Sequence, residues 1–524
     1  ASGVTTIGGV SGGSGVPLSL TTDLAGSTVI ESSSVTAKTQ TYNDAVTLAV
    51  AASSTVTLTG ATAVDFENTL NARKTDDAIN LTVAGGGTTT FGGAVGGTGR
   101  IATLSAVTGP VRINTGAITT TGAQSYGAAA SGITVGATAT LTASSITLGG
   151  KVDADATANA RALSLVSAGT TTFGGNVGDT EALERLTTDS DGSVILSSST
   201  SSVEAATLSF NDALSLNAPT SLVGTDIFLN APVTAGSHNL TLNAAGITAL
   251  NAALTGTGTV STDADGITRI GGSITTTGAA QTYGDDVEVT ANTTLTGQVI
   301  SFGKTVNADL AANQRALTIA DTGAPVFTGA VGNAGPLGAL TVTGTTINID
   351  GGSVDAGIQV YNQAVEIGAS TVFKATDLTF TGAVQGSAAG KNLTLSASGN
   401  TVLTAGIASN IASFRSDNGG TTTLGANITT TANQTFVDSV VLGASVTLDP
   451  GAGNSTTFDG TIDGTSANTQ ALTLARNGTV NAAVGDGIAL SALTITGTST
   501  IAADVITGGA QPIPACSRWM PWSP

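Results

Sequence analysis

The stretch Gln40-Thr-Tyr-Asn-Asp-Ala-Val-Thr-Leu48 places an aromatic residue just before a run in which apolar and polar residues alternate. Alternation with a period of two and many β-branched residues is typical of a half-buried strand. An aromatic residue returns along the chain in steps of 84, 84, 73, 78 and 75 residues. These anchor residues are Tyr42, Tyr126, Phe210, Tyr283, Tyr361 and Phe436. A fixed period of this kind indicates one structural unit copied about six times.

Two further markers keep the same order in successive copies. Phe91-Gly-Gly-Ala-Val-Gly96 returns as Phe173-Gly-Gly-Asn-Val-Gly178 and Phe327-Thr-Gly-Ala-Val-Gly332, with weaker copies beginning at Leu250, Leu403 and Val480. Arg161-Ala-Leu163 returns as Arg315-Ala-Leu317 and Gln470-Ala-Leu472, each before an alternating strand. Gly, Asn, Asp and Ser cluster between the strand-like runs, as turns require. Helical periodicity is confined to one expected turn between Lys74 and Asn80.

Short strands without helices leave few architectures. Aromatic residues are 3% of the chain and glycine contributes 70 residues, which favours a thin core. We predict an all-β fold, a parallel right-handed β-solenoid (β-helix) of about six long repeats, continuous over residues 1–507. At roughly 19 to 21 residues per turn, four turns per long repeat and about 4.8 Å per turn, it would form a rod of about 25 turns and about 120 Å. Tandem immunoglobulin-like sandwiches are the alternative.

The charge balance narrows the function classes. The net charge is −19, with 35 acidic and 16 basic residues, which disfavours nucleic acid and anionic membranes as partners. A hydrophobic fraction of 40% with only 10% charged residues argues against disorder. The single cysteine, Cys516, excludes a disulfide framework within the chain. The sequence contains no run of 18 apolar residues, so no transmembrane segment is expected.

Three phrases resemble a known family. The stretch Gln40 to Leu48, Thr88-Thr-Thr-Phe-Gly-Gly-Ala-Val95 and Ile274-Thr-Thr-Thr-Gly-Ala-Ala-Gln-Thr-Tyr-Gly284 resemble the repeats of filamentous haemagglutinin-like bacterial exoproteins, of the two-partner-secretion or autotransporter passenger type. The resemblance covers roughly residues 1 to 507. It implies a parallel β-helix, export from the cell, and a role in adhesion or in a biofilm matrix. Without that family's secretion domain, the chain is expected to be an excised stretch or a derivative that works without it.

The candidate sites each have a structural alternative. We expect the anchor residues to lie in the core, since copies about four turns, or roughly 19 Å, apart could not stack. The Asp-x-Asp-Gly turns at Asp189/Asp191 and Asp263/Asp265 are candidate calcium ligands, but plain type I turns are the preferred explanation. Thr-Thr-Thr triplets recur, and regular threonine rows on a flat face could bind ice or a polysaccharide. Ice binding would need the row on nearly every turn, and the triplets are sparse. No other cofactor is expected.

Catalytic chemistry has little support in the sequence. His238 is the only histidine and Cys516 the only cysteine, so neither a catalytic triad nor a zinc ligand set is available. Asp285, Asp286 and Glu288 form the densest acidic cluster, and no Arg or Lys is expected near it. We therefore expect a protein that is not an enzyme.

The tail, residues 508–524, has a different composition. It contains Trp519, Trp522 and four of the eleven prolines, and proline removes donors from a strand ladder. It is expected to cap the last turn, to contact a neighbouring molecule, to be disordered, or to derive from a shifted reading frame.

The predicted function is that of a rigid extracellular or cell-surface rod, part of an adhesin or matrix. Its partners would be copies of itself, or glycans or proteins of a host or matrix. The alternatives are a filament subunit joined head-to-tail through its end turns, and a polysaccharide-active β-helix enzyme.

Overall fold

The computed structural model describes residues 3–9, 16 and 18–509. The chain divides into two compact units, Ala1–Gly266 and Ile267–Pro524. In each unit the chain winds as a parallel β-solenoid, and the two units together contain about 23 turns. The predicted all-β parallel β-solenoid is confirmed, and the sandwich alternative is wrong because the strand pairs are parallel. The count of about six repeats is also wrong as a description of the architecture, because the repeating element is the single turn.

Each turn of the first unit visits three faces, which we call A, B and C in chain order. Face A contains Asn80–Ala84, Leu104–Ala106, Gln124–Tyr126, Ile146–Leu148, Thr170–Phe173, Ser193–Leu196, Ala213–Leu216, Val233–Thr234 and Leu254–Thr257. Face B contains Ser19–Thr21, Thr88–Phe91, Val111–Ile113, Ile133–Val135, Val152–Ala154, Thr220–Gly224, Leu240–Ala244 and Val260–Thr262. Face C contains Gly3–Ile7, Gly26–Ile30, Ala45–Leu48, Leu70–Ala72, Ala117–Thr119, Ala139–Ala143, Ala162–Ser167, Leu183–Thr188, Asp226–Leu229 and Ile247–Leu250. Three longer strands bend across a corner: Ser34–Tyr42 and Thr55–Phe66 from face A to B, and Ser202–Phe210 from B to C.

The second unit repeats this plan on faces D, E and F. Face D contains Ile267–Ile270, Asp286–Val289, Val306–Ala308, Thr371–Ala375, Lys391–Ala397, Ile411–Asp417, Gln434–Phe436, Ser455–Phe458, Asn477–Val480 and Ser499–Ile501. Face E contains Ile274–Thr276, Thr293–Gly297, Ala316–Asp321, Leu337–Thr343, Asp377–Phe380, Asn400–Leu403, Thr421–Leu424, Ser439–Leu442 and Ile462–Gly464. Face F contains Gln281–Tyr283, Ile300–Phe302, Val326–Phe327, Ile347–Ile349, Val365–Ile367, Val384–Gly386, Ile428–Thr429, Val446–Asp449, Ala471–Leu474 and Ala492–Ile495. Ser353–Tyr361 bends from face D to E.

Helical structure is limited to three short 3₁₀ turns in the described residues: Thr75–Asp77, Thr157–Asn159 and Ala311–Asn313. The first falls inside the segment for which one helical turn is expected. Over the same described ranges, no helix has the length and apolar character needed to cross a membrane.

The core is a stack of apolar rows. On face C, one row consists of Leu70, Val95, Ile118 and Leu141, each the register partner of the next. All four side chains are at most 1% exposed. Alternating residues of a parallel strand point inward, so in-register stacking places one turn's apolar side chains directly on the next. Burial of each such side chain contributes about 1.5–3 kcal/mol before the entropy of ordering the chain is counted.

The long sequence period has a geometric origin. From Tyr42 on face B the chain passes Phe66, Phe91 and Ile113 on the same face, one turn apart each time. It then crosses face C and reaches Tyr126 on face A. One long repeat is therefore three turns and two thirds, rather than about four. Each new copy consequently begins on a different face.

The other anchors follow the same rule within each unit. In the first unit Phe210 lies on face C, the one face that Tyr42 and Tyr126 leave unused. In the second unit Tyr283 lies on face F, Tyr361 on face E and Phe436 on face D. The second sequence marker falls two turns after each anchor, on the same face. The resulting pairs are Tyr42 with Phe91, Tyr126 with Phe173, Phe210 with Leu250, Tyr283 with Phe327, Tyr361 with Leu403, and Phe436 with Val480.

Candidate functional site

The anchor residues lie in the core. All six are at most 1% exposed. Most begin a stack of rings that continues into the next turn, as Tyr42 does on Phe66, with ring centroids 5.3 Å apart and planes 11° from parallel. Tyr361 and Phe380 stack in the same way at 4.9 Å. These rings are internal packing elements, and their side chains are not available to a partner.

Sequence reasoning missed a buried glutamine beside these rings. It lies two residues before five of the six anchors, at Gln40, Gln124, Gln281, Gln359 and Gln434, each 0% exposed. The Tyr126 hydroxyl donates to Oε1 of Gln124 at 2.9 Å. Nε2 of Gln124 donates to the carbonyl oxygens of Ile118 and Thr142, at 3.1 and 2.9 Å. The amide thus ties two successive turns together from inside, while burial raises the pKa of Tyr126 well above its ordinary value.

The two phenylalanine copies show why the tyrosine hydroxyl matters. In the Phe210 copy the glutamine is replaced by Leu208. In the Phe436 copy Gln434 is retained, and the Thr456 hydroxyl of the next turn donates to its Oε1 at 3.1 Å. Each copy therefore either provides a donor for the buried amide oxygen or lacks that oxygen, as expected from the cost of an unpaired buried acceptor.

The Phe-Gly-Gly marker forms a tight corner. Gly96 has φ of 73°, and a Cβ at this position would collide with the carbonyl oxygen of Thr119. The N–H groups of Thr98 and Gly99 donate to Oδ1 of Asn71, at 3.0 and 3.4 Å. Only glycine fits this left-handed, closely approached position without strain. The marker is explained by backbone geometry and needs no ligand.

The Arg-Ala-Leu marker is an ion pair beside a 3₁₀ turn. Nε and Nη2 of Arg161 donate to the two carboxylate oxygens of Asp155, at 2.8 and 3.0 Å. Arg315 holds Asp309 in the same way at 2.8 and 2.7 Å. Hydrogen bonds from these arginines hold the pKa of each aspartate well below its usual range. In each pair the aspartate precedes the 3₁₀ turn and the arginine follows it, so the ion pair closes the loop that contains the turn.

A row of hydroxyl groups covers the outside of face A. On ten consecutive turns the outward register position is Thr57, Thr82, Ser105, Ser125, Thr147, Thr172, Ile195, Ser215, Thr234 and Thr255. Only Ile195 lacks a hydroxyl. Successive members are spaced by about 4.8 Å, the strand separation in a sheet. The sparse Thr-Thr-Thr triplets do not reveal this row, because the turns differ in length and the members of the row are unevenly spaced in the sequence.

The acidic cluster of the enzyme hypothesis is occupied by internal partners. Asp285 is 1% exposed and accepts hydrogen bonds from the Thr268 hydroxyl at 2.7 and 2.8 Å. Asp286 accepts from the Thr305 backbone N–H at 3.1 Å. Glu288 pairs with Arg269 at 2.6 Å. The expectation that no basic residue lies near this cluster was wrong, since Arg269 is the register partner of Glu288 on the preceding turn.

A buried aspartate like Asp285 recurs at four corners. Asp44, Asp212, Asp285 and Asp438 follow four of the anchors at a spacing of two residues and are at most 2% exposed. The Thr28 hydroxyl of the preceding turn donates to Asp44 at 2.8 and 3.0 Å, and Thr22 donates at 2.7 Å. Thr422 lies at the same register and is 3.4 Å from Asp438, whose pKa is raised by burial.

Asp212 is the exception among the four. Thr28, the donor to Asp44, is the register partner of Val46, two residues after Asp44. The residue two positions after Asp212 is Leu214, and its register partner is Val194, which has no hydroxyl. Neither carboxylate oxygen of Asp212 has a hydrogen-bond partner. Burial, together with repulsion from Asp189 and Asp191, raises the pKa of Asp212 to about 6; the nearby Thr188 hydroxyl, outside hydrogen-bond geometry, offsets a smaller part.

The candidate calcium ligands have different surroundings. Both carboxylate oxygens of Asp189 accept from the Ser167 N–H at 3.1 Å, and Oδ1 of Asp263 accepts from the Ala244 N–H at 3.4 Å. Asp191 and Asp265 are exposed. Within residues 3–9, 16 and 18–509, no group of three or more His, Cys, Asp or Glu is arranged to hold a metal ion. Calcium binding at these turns stays a prediction.

A shallow cleft of about 290 Å³ in the first unit is lined by Glu184 and Glu204 together with small side chains such as Ala205 and Gly224. Trp519 and Trp522, the candidate assembly residues of the tail, lie outside the described residues.

Comparison with known proteins finds no matching protein family, no matching curated protein and no matching solved structure.

Proposed function

We propose that this protein is a non-enzymatic extracellular structural protein, the rigid rod of a bacterial surface adhesin or matrix. One observation carries the proposal: the residues that recur between copies face inward or form corners. Turns are held together by the anchor rings, by the buried glutamines and by the tight corners that the Phe-Gly-Gly marker forms, as at Gly96. Repetition of structural residues, without a repeated exposed catalytic group, is what a scaffold requires.

The outer surface supports an adhesive role. The hydroxyl row of face A extends over ten turns and carries no charge. Serine and threonine hydroxyls both donate and accept hydrogen bonds, as sugar hydroxyls do. An extended glycan of a host or matrix is therefore the partner that we propose for this face.

The proposal includes the location of the protein. The resemblance to filamentous haemagglutinin-like exoproteins implies a parallel β-solenoid, which the chain has. From the same resemblance we propose a location at the cell surface or outside the cell. The composition of 10% charged residues and one cysteine is compatible with that location.

An adhesion assay tests the proposal. Beads coated with the purified chain are allowed to settle on immobilised matrix polysaccharides or on host cells, and the fraction retained under flow is measured. We expect retention above that of beads coated with an unrelated acidic protein. Thr147→Lys, in the middle of the hydroxyl row, should lower retention, whereas Thr134→Lys on face B should not. Equal loss in both variants, or no retention at all, would contradict an adhesive role for face A.

Two measurements separate the alternatives. Negative-stain images of a concentrated sample would show long fibres if the chain is a filament subunit, and discrete particles if it is a rod segment. Release of reducing sugars from pectin-like polymers, abolished by Asp285→Asn, would support the enzyme. The burial of Asp285 against Thr268 favours the non-enzymatic proposal.

A further inference from the structure

The corner that contains Asp212 differs from its three counterparts in one register position. The corners of Asp44, Asp285 and Asp438 each have a threonine of the preceding turn, which donates to the carboxylate. At Asp212 this position is Val194. The carboxylate is 2% exposed, and both of its oxygens lack a hydrogen-bond partner.

The surroundings of Asp212 make its charge costly. The preceding turn contributes Asp189 and Asp191, which are the charged groups acting on it. The following turn contributes the neutral Asn230, whose Nδ2 donates to Oδ1 of Asn211 at 2.7 Å. The Thr188 hydroxyl accepts from the N–H groups of Asn211 and Asp212. An ionised carboxylate in such a place is unfavourable because it is shielded from solvent, has no opposite charge beside it and has no donor in hydrogen-bond geometry.

We propose that the Asp212 carboxyl is a proton-binding site that holds the neighbouring turns closed in mild acid and allows them to open locally towards neutral pH. Protonation removes the buried charge and its repulsion from Asp189 and Asp191. The strands that meet at this corner are Ser193–Leu196 and Ala213–Leu216 of face A. Their backbone hydrogen bonds are the ones that opening would expose. The inference does not depend on the adhesive function.

The sign of the pH effect follows from linkage. The pKa of Asp212 is raised in the folded state from 3.8 to about 6, so the folded corner binds the proton more tightly than an open one. The bound proton therefore stabilises the folded corner fully at pH values below 3.8, the pKa of Asp212 in the open state. This stabilisation is lost as the pH rises through about 6, the pKa of Asp212 in the folded state. For one proton, the opening equilibrium constant can rise by at most about tenfold per pH unit between about pH 4 and about pH 6.

Hydrogen exchange on the full chain tests the proposal. Amide protection of Ser193–Leu196 and Ala213–Leu216 is measured from pH 4.5 to 7.5 and corrected for intrinsic exchange rates. We expect protection to fall several-fold to tenfold per pH unit up to about pH 6 and then to level off. Asp212→Asn, which removes the charge, should abolish the dependence. Val194→Thr, which keeps Asp212 and adds the donor found in the other corners, should reduce it.

The chain provides its own control. Ile267–Ile270 and Asp286–Val289 flank Asp285, whose carboxylate has its threonine donor, and their protection should not show this fall. A pH-independent wild-type corner, or an equal fall in Asp212→Asn, would overturn the proposal. Restoration of protection at pH 7 by millimolar calcium, in the wild type but not in Asp212→Asn, would overturn it too, because the ligand would then be a metal ion.

Discussion

The hydroxyl of Tyr42 donates a 2.8 Å hydrogen bond to Oε1 of Gln40, and both side chains are 0% exposed. Nε2 of Gln40 donates to the carbonyl oxygens of Val35 and Thr59, at 3.1 and 2.9 Å. The same pair recurs at Tyr126, Tyr283 and Tyr361. It combines a packed ring with a polar link between turns.

Removal of one anchor hydroxyl should destabilise the first unit. Tyr126→Phe leaves Oε1 of Gln124 buried without its donor, which costs about 1–3 kcal/mol. Urea unfolding followed by circular dichroism measures the change. In a Gln124→Leu background the same substitution recreates the Leu208 and Phe210 pairing and should cost much less. Equal costs in the two backgrounds would show that the hydroxyl and the amide are not coupled.

Truncation of a stacked ring should be more severe. Phe66 lies between Tyr42 and Phe91, with ring centroids 5.3 and 5.8 Å away. Phe66→Ala removes the centre of this stack and should lower the free energy of unfolding by about 3–5 kcal/mol. Val107→Ala, at a side chain 37% exposed, is the matched control and should cost far less. A small effect of Phe66→Ala would mean that the rings do not hold the turns together.

Adjacent glycines of one corner should respond differently to alanine. Gly96 has φ of 73°, and an added Cβ would meet the Thr119 carbonyl oxygen. Gly97 has open space around the same position. Gly96→Ala should therefore cost more than about 1 kcal/mol, and Gly97→Ala should be nearly neutral. Thermal melting of the two variants measures the difference, and the reverse order would contradict this corner geometry.

The Arg161–Asp155 pair should make the folded state less stable in acid, whereas the buried Asp212 makes its corner more stable in acid. The arginine holds the pKa of Asp155 below its usual range, so the stabilising effect is present above the unfolded value of 3.8 and is lost as pH falls through the lower folded value. Arg161→Gln should lower the melting temperature at pH 7, and the difference from wild type should shrink below about pH 4. The exposed Arg100→Gln serves as control. A difference that does not change with pH would exclude this ion pair as its cause.

The strands and the fold class could be predicted from sequence because alternation fixes which side chains face inward. Which residues of successive turns lie next to each other could not be predicted, because the turns differ in length. A turn takes 18 residues between Thr28 and Val46 but 26 between Val177 and Val203. The hydroxyl row of face A and the two-thirds turn in each long repeat were hidden for that reason. The residues of a row are not evenly spaced in the chain.

The missed polar residues share a different cause. Gln40 and Asp44 are polar residues at inward positions, which a pattern of apolar alternation treats as exceptions. Their meaning depends on partners one turn away, Thr59 for the glutamine and Thr28 for the aspartate. Comparison of the copies with one another would have provided a signal, since the glutamine disappears at Leu208, where the tyrosine is replaced by Phe210.

A distance measurement tests the parallel in-register stacking most directly. Nitroxide labels are placed at Ser105 and Ser215 of face A, in a Cys516→Ser background, and their separation is measured by pulsed electron paramagnetic resonance. The two residues are five turns apart in one row, through Ser125, Thr147, Thr172 and Ile195. The stacking predicts a narrow distribution near 24 Å, from a spacing of about 4.8 Å per turn. A broad distribution, or a mean beyond about 40 Å, would contradict the solenoid.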